Sequence, residues 1–166
     1  MALMTVGEAA SWFDRLPPAT LDDLTGSWAG ADVTCDHPMD GLLRASYWRG
    51  KRFDGPDAAF PLIHDLPFWG KRALNPRFMP IRLITALPAR DRLLRWVMPC
   101  VAPVFFTTRP KARLRMIRFR GRLHAAMCYD DKPIHDVFAR IDAASLLGWM
   151  DFKGAPAPYF FRLTRA

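Results

Sequence analysis

A chain of 166 residues, 51% hydrophobic and 24% charged, carries enough apolar surface to build one core without disulfides, which excludes a disordered chain. Fifteen prolines argue against long uninterrupted helices. The net charge of +8 would admit an anionic partner, but the basic residues stand singly, as in Ala112-Arg113-Leu114-Arg115-Met116. That is the spacing of a solvated strand face, and no nucleic-acid motif accompanies it, so a nucleic-acid partner is not expected.

In chain order, Val6–Arg15 predicts a short helix with Ala9, Trp12 and Phe13 on one side, stopped by Pro17-Pro18. Thr20 and Asp23 have the spacing of a capping box for one further turn. Residues 24–30 lead into a first strand whose glycines allow close backbone approach. Residues 36–41 read as a turn into a helix, capped by Asp36 and with Pro38 in its first turn. Leu42, Leu43 and Tyr47 form the apolar side of that helix. Residues 48–53 and 60–63 predict two strands around the turn Asp54-Gly55-Pro56. Residues 67–80 read as irregular, and 81–97 as a helix broken at Pro88. The most apolar stretch, 96–106, is too short to span a bilayer and holds Pro99 and Pro103. It predicts a buried or pocket-covering segment, with a membrane-surface role as the lesser alternative.

The C-terminal third is clearer. Residues 112–120 alternate apolar and basic side chains with one change of phase at Met116-Ile117, where a bulge is expected. Residues 123–129 form the returning strand, and Asp131-Lys132-Pro133 a turn. Residues 134–141 predict a strand or short helix. Two further strands, 146–152 and 159–164, are joined through residues 153–156. This spacing predicts a mainly β fold with a few short helices. The expected form is a small antiparallel β-barrel, or a strongly curved sheet, around an apolar cavity, as a single compact domain over residues 1–166.

Cys35, Cys100 and Cys128 are odd in number and have neither metal nor redox spacing. They predict reduced core residues. The apolar start at residues 1–4 is too short for a signal peptide, and a cytoplasmic protein is expected.

Two ordered sets of residues carry a family resemblance. Gly26-Ser27-Trp28-Ala29-Gly30 is followed by His37-Pro38-Met39-Asp40-Gly41 and by Trp48-Arg49-Gly50-Lys51-Arg52-Phe53. Later come Tyr129-Asp130-Asp131-Lys132-Pro133-Ile134-His135-Asp136-Val137-Phe138, Leu147-Gly148-Trp149-Met150-Asp151 and Pro158-Tyr159-Phe160-Phe161-Arg162-Leu163. The first set resembles the GXWXG family, and the second the domain of unknown function that accompanies it. Neither name implies an activity. A looser resemblance is to lipocalin-like barrels, where a Gly-x-Trp on the first strand and an Arg on the last close one end by a cation–π contact. Trp28 with Arg162 or Arg165 has that arrangement, which implies a barrel wide enough for one small ligand.

Candidate ligand-binding residues are the aromatics Trp28, Tyr47, Trp48, Phe53, Tyr129, Trp149 and Phe161, with Lys51, Asp130 and Asp151; Tyr159 is a further cavity candidate. Plain core packing is the alternative for each aromatic. Asp40, Asp130, Asp136 and Asp151 fall in or beside apolar runs. A carboxyl buried without a cation stays protonated near neutral pH and acts as an acid. Lys132 and Lys153 favour a bracing ion pair for Asp130 and Asp151. Asp40 and Asp136, each near a histidine, are the catalytic candidates together with His37, which serves equally as a turn brace. His64 and His124 rank behind them.

Lys51 is either a buried amine suited to Schiff-base chemistry or an ordinary paired lysine. The four histidines have no metal-ligand spacing, so no metal is expected. No Gly-x-Ser-x-Gly elbow, phosphate loop or dinucleotide fingerprint is present. The expected function is cofactor-free: an acid–base isomerase or cyclase for a small unsaturated, terpenoid-like carbonyl compound. The alternatives are a carrier of a small apolar ligand and a barrel holding haem on a single histidine.

Overall fold

The computed structural model describes residues 4–79 and 90–166. Helix α1 (Val6–Arg15) starts at a capping box between Thr5 and Glu8 and buries Ala9 and Phe13. Thr20 and Asp23 form the second capping box, on the short 3-10 turn Leu21–Asp23. The strands are β1 (Gly26–Asp32), β2 (Trp48–Gly55), β3 (Ala58–Leu66), β4 (Gly70–Ala73), β5 (Ala112–Phe119), β6 (Arg122–Tyr129), β7 (Ile134–Asp142), β8 (Ser145–Phe152) and β9 (Tyr159–Arg165). A one-turn helix α2 (Leu42–Ala45) follows β1, and α3 (Arg90–Val101) precedes β5.

The nine strands form one antiparallel, strongly curved sheet in the order β2-β1-β9-β8-β7-β6-β5-β3-β4, and β2 also pairs with β3. The sheet therefore nearly closes into a ring, with β4 appended to β3. The joins are unequal. β9 meets β1 through five residue pairs from Trp28↔Arg165 to Asp32↔Phe161, whereas β3 meets β5 through Ala59↔Ala112.

Alternation sorts the side chains into two cores. The inner one includes Trp28, Trp48, Phe53, Met127, Phe138, Tyr159 and Phe161. The outer one lies under α1 and joins Phe13 to Val137, Leu147, Trp149 and Phe160. This second core explains the change of phase at Met116-Ile117. The register of β5 on β6 runs unbroken from Ala112↔Tyr129 to Phe119↔Arg122, so no bulge exists. The strand instead changes which face it buries. Ala112 and Leu114 pack inward, while Ile117 and Phe119 pack outward on the α1 core.

Three further expectations are corrected, and the strand alternative at 134–141 is borne out. A short strand and the 3-10 turn Pro76–Phe78 occupy part of the stretch read as irregular, because β4 pairs with β3. Residues 134–141 belong to a strand, not a helix. Asp36 does not cap α2. It is exposed with φ 58°, and Gly41, also left-handed, holds the N-cap position. Of the helix expected at 81–97, residues 81–89 lie outside the described residues, and α3 continues to Val101.

Trp28 closes one end of the ring. Its indole is buried, donates through Nε1 to the Thr25 carbonyl at 3.0 Å, and lies 4.5 Å under the Arg165 guanidinium. Arg162 is engaged elsewhere, donating to Ser145 Oγ. Two glycines make room here. A Cβ on Gly30 would fall 2.1 Å from the Trp48 indole, and one on Gly50 would fall 1.9 Å from the Trp28 carbonyl oxygen. Trp28→Ala should cost about 3–5 kcal/mol, as large-to-small core changes do, measured by denaturant unfolding. A loss under about 1 kcal/mol would contradict a plugging role.

Candidate active site

The ring encloses a cavity of about 400 Å³. β2 contributes Trp48 and Lys51, and β3 contributes Leu62 and His64. Tyr129, Ile134, Asp136, Met150, Tyr159 and Phe161 come from β6 to β9, and Leu42, Leu43, Leu94 and Met98 from α2 and α3. Leu93, Val97 and Val101 line the cavity while remaining partly exposed at 48%, 38% and 37%, so the opening lies along α3. The sequence expectation of a pocket-covering segment fits this helix.

The polar centre is an ion pair. Lys51 Nζ lies 2.7 Å from Asp136 Oδ2, with the side chains 3% and 1% exposed. Lys51 also donates to the Pro61 carbonyl at 3.3 Å. The Tyr129 hydroxyl donates to the same Asp136 Oδ2 at 3.2 Å. The other oxygen, Asp136 Oδ1, is buried with no hydrogen-bond partner among the described residues. Three rings surround the ammonium, with centroids at 4.8 Å for Phe161, 5.5 Å for Trp48 and 5.8 Å for Tyr129. Burial pulls the Lys51 pKa down while Asp136 opposes it. Burial and the neighbouring Asp136 push the Tyr129 hydroxyl well up, so it remains a donor.

Strict alternation would send Trp48 and Lys51, three residues apart, to opposite faces. Gly50 prevents this. The β2–β3 register shifts on both sides of it, and Lys51 comes to lie opposite Trp28, facing inward.

A second polar group braces the cavity wall. Tyr159 donates its hydroxyl to Asp32, whose pKa burial raises. His37 Nδ1 accepts from the Met39 N–H at 3.0 Å, which leaves Nε2–H to donate to the Ala157 carbonyl at 3.2 Å. Asp40 Oδ2 accepts from the N–H groups of Cys35 and His37, both at 3.0 Å. Asp40 and His37 thus hold the loop between β1 and α2, and neither lines the cavity.

Of the other sequence candidates, Trp48, Lys51, Tyr129, Asp136, Tyr159 and Phe161 converge on the cavity. Trp28 and Phe53 pack in the inner core without lining it. Tyr47 donates to the Arg95 carbonyl at 3.1 Å, tying its loop to α3. Trp149 points outward, into the α1 core. Asp130 is exposed and pairs with Arg113 at 2.9 Å, because Lys132 reaches the Met79 carbonyl instead. Asp151 is exposed opposite His135. Asp136, which the sequence presents without a cation, is paired with Lys51. Cys35 is buried, but Cys100 is exposed and Cys128 partly so.

His64 is a cavity residue that ranked low in the sequence. Its signal was its phase, two residues from both Leu62 and the buried Leu66. Among the described residues, no three His, Cys, Asp or Glu side chains cluster as metal ligands. No described helix is long and apolar enough to cross a membrane.

Two stability measurements follow. Lys51→Met alone should cost about 3–5 kcal/mol by leaving Asp136 buried and unpaired, while Lys51→Met with Asp136→Leu should recover most of it. Equal losses in the single and double variants would show that the pair is not coupled. Burial also holds the His64 pKa down at about 4. The unfolded chain, with a pKa of about 6.5, takes up that proton first. His64 therefore destabilises the fold as pH falls from about 6.5 toward about 4, by roughly 3 kcal/mol. His64→Gln should flatten the decline in this window, seen in urea titrations at both ends.

Residues 11–66 match the family model described as GXWXG protein, and residues 110–165 match the one described as Domain of unknown function (DUF4334). A solved structure, "Crystal structure of protein from Thermomonospora curvata", is similar at a TM-score of 0.70 and 29% identity, covering 95% of this chain and 84% of that one. No curated protein matches the chain.

Proposed function

We propose that this chain, which matches the GXWXG protein model over residues 11–66 and the DUF4334 model over residues 110–165, isomerises or cyclises a small, unsaturated, lipophilic carbonyl compound by acid–base chemistry in its cavity. The observation that carries the reading is Asp136 Oδ1: a carboxylate oxygen without a partner among the described residues, on an apolar wall, beside two donors. A buried acceptor left unsatisfied is costly, and a reacting C–H or O–H group supplies what it lacks.

The roles follow from position. The cavity volume suits one small molecule, and its chiefly aliphatic and aromatic wall favours a lipophilic one of terpenoid type. Lys51 and Tyr129 are donors able to approach a carbonyl oxygen and stabilise negative charge there. Asp136 Oδ1 is the group to take a proton from the carbon framework and return it elsewhere. Trp48 and Phe161 tolerate positive charge developing on an attacking alkene. The acid expected from a lone aspartic acid thus passes to the Lys51–Asp136 pair. Three free cysteines support a cytoplasmic setting.

The test is turnover of small enals and enones followed by gas chromatography. Asp136→Asn should lower turnover by about 10²–10⁴-fold, the usual range of general acid–base catalysis, with ligand binding retained. Circular dichroism checks that the variant folds. Wild-type turnover by folded Asp136→Asn would remove the acid–base role. Binding without conversion by the wild type would leave a carrier, to which the apolar opening along α3 is equally suited. A Soret band on adding haemin, with no carbonyl compound bound, would favour the haem barrel.

A further inference from the structure

Among the described residues, Lys51 is the one buried lysine. Lysines are almost never fully buried unless paired, and a buried ion pair is weak evidence for stability. The cavity gives this one a chemical use. Its Nζ belongs to the cavity wall, its proton has a destination in Asp136 Oδ2 at 2.7 Å, and its cation is ringed by Phe161, Trp48 and Tyr129.

Resting on the reading that a carbonyl compound enters this cavity, we infer that Lys51 forms a reversible Schiff base with small apolar aldehydes. Lys51 first passes one proton to Asp136 along their hydrogen bond, freeing the amine lone pair. The amine attacks the aldehyde carbon. A C–N bond forms, the carbonyl π pair moves to oxygen, and a proton crosses from nitrogen to that oxygen. Asp136 then returns its proton to the carbinolamine hydroxyl, which leaves as water while the nitrogen lone pair forms C=N. One aldehyde and one lysine ammonium become one protonated imine and one water, with Asp136 again a carboxylate. No oxidant or reductant is needed.

The geometry suits this product. The iminium carries the same single positive charge as the ammonium, so Asp136 stays compensated throughout. The three rings around the nitrogen serve the iminium as they serve the ammonium. Burial, which pulls the Lys51 pKa down, favours the free amine that must attack. The crowding of rings around Nζ favours aldehydes over bulkier ketones. An iminium withdraws electrons more strongly than a carbonyl, which eases proton removal by Asp136 Oδ1 or attack by a distant alkene.

The experiment is reductive trapping of the full chain with a small apolar enal and sodium cyanoborohydride, read by intact mass and peptide mapping. The matching alcohol is the non-covalent control. Trapping should add the mass of the aldehyde less one oxygen atom, placed on Lys51 in preference to Lys71, Lys111, Lys132 and Lys153. Lys51→Arg, which keeps the charge, should lose the adduct. So should Lys51→Met with Asp136→Leu, should the arginine variant fail to fold. Tryptophan fluorescence follows binding separately. Aldehyde bound without an adduct at Lys51, or an adduct spread evenly over the other lysines, overturns the inference and leaves the non-covalent acid–base reading standing. Failure of every carbonyl compound to bind overturns both.

Discussion

Lys51 and Asp136 face each other across the interior. Their strands, β2 and β7, are separated by β1, β9 and β8 in one direction and by β3, β5 and β6 in the other, so they stand on opposite walls. The 2.7 Å contact between them therefore ties the ring across its width. Neither charge could be there alone. Removing one leaves the other without solvent or counter-charge, and the desolvation cost of a buried ion is several kcal/mol. The surrounding rings, the Tyr129 hydroxyl and the Pro61 carbonyl are arranged around that need.

The pair also divides the interior. Toward Trp28 the ring is filled by side chains such as Phe53 and Phe138, whose rings meet at 6.0 Å. On the side of α2 and α3 it is open enough for a ligand, and the walls there are mostly aliphatic. The second polar group, Asp32 with Tyr159, joins the end of β1 to the start of β9 beside the β1–α2 loop. The His37 ring, 5.5 Å from that of Tyr159, couples the loop's backbone bonds to the cavity wall. One polar set thus faces the cavity while the other lies beside the loop that borders it.

Local signals were legible in the sequence. The two capping boxes, the Trp28–Arg165 closure and the hairpins of the C-terminal third rest on short-range patterns, and each appears in the structure. What the sequence hid was non-local. The inward turn of Lys51 depends on a register shift at Gly50 between two strands. Asp136 reads as a lone acid because its cation lies 85 residues away. Trp149 reads as a cavity residue because one-strand alternation does not reveal that α1 covers the outer face with a second core. Asp40 reads as a cavity acid for a different reason: the same short carboxylate that makes a good acid also makes a good acceptor for turn N–H groups, which is where it is engaged.

The unequal joins of the ring have a mechanical consequence. Residues 11–66 supply β1 to β3 and residues 110–165 supply β5 to β9, so the two matched segments are half-shells of one vessel. They are stitched tightly at β1–β9 and by a single residue pair at β3–β5. Local opening begins where backbone bonds are fewest. The β3–β5 join is therefore the thinnest stretch of the wall, with Leu62 and His64 on one side of it and Tyr129 on the other.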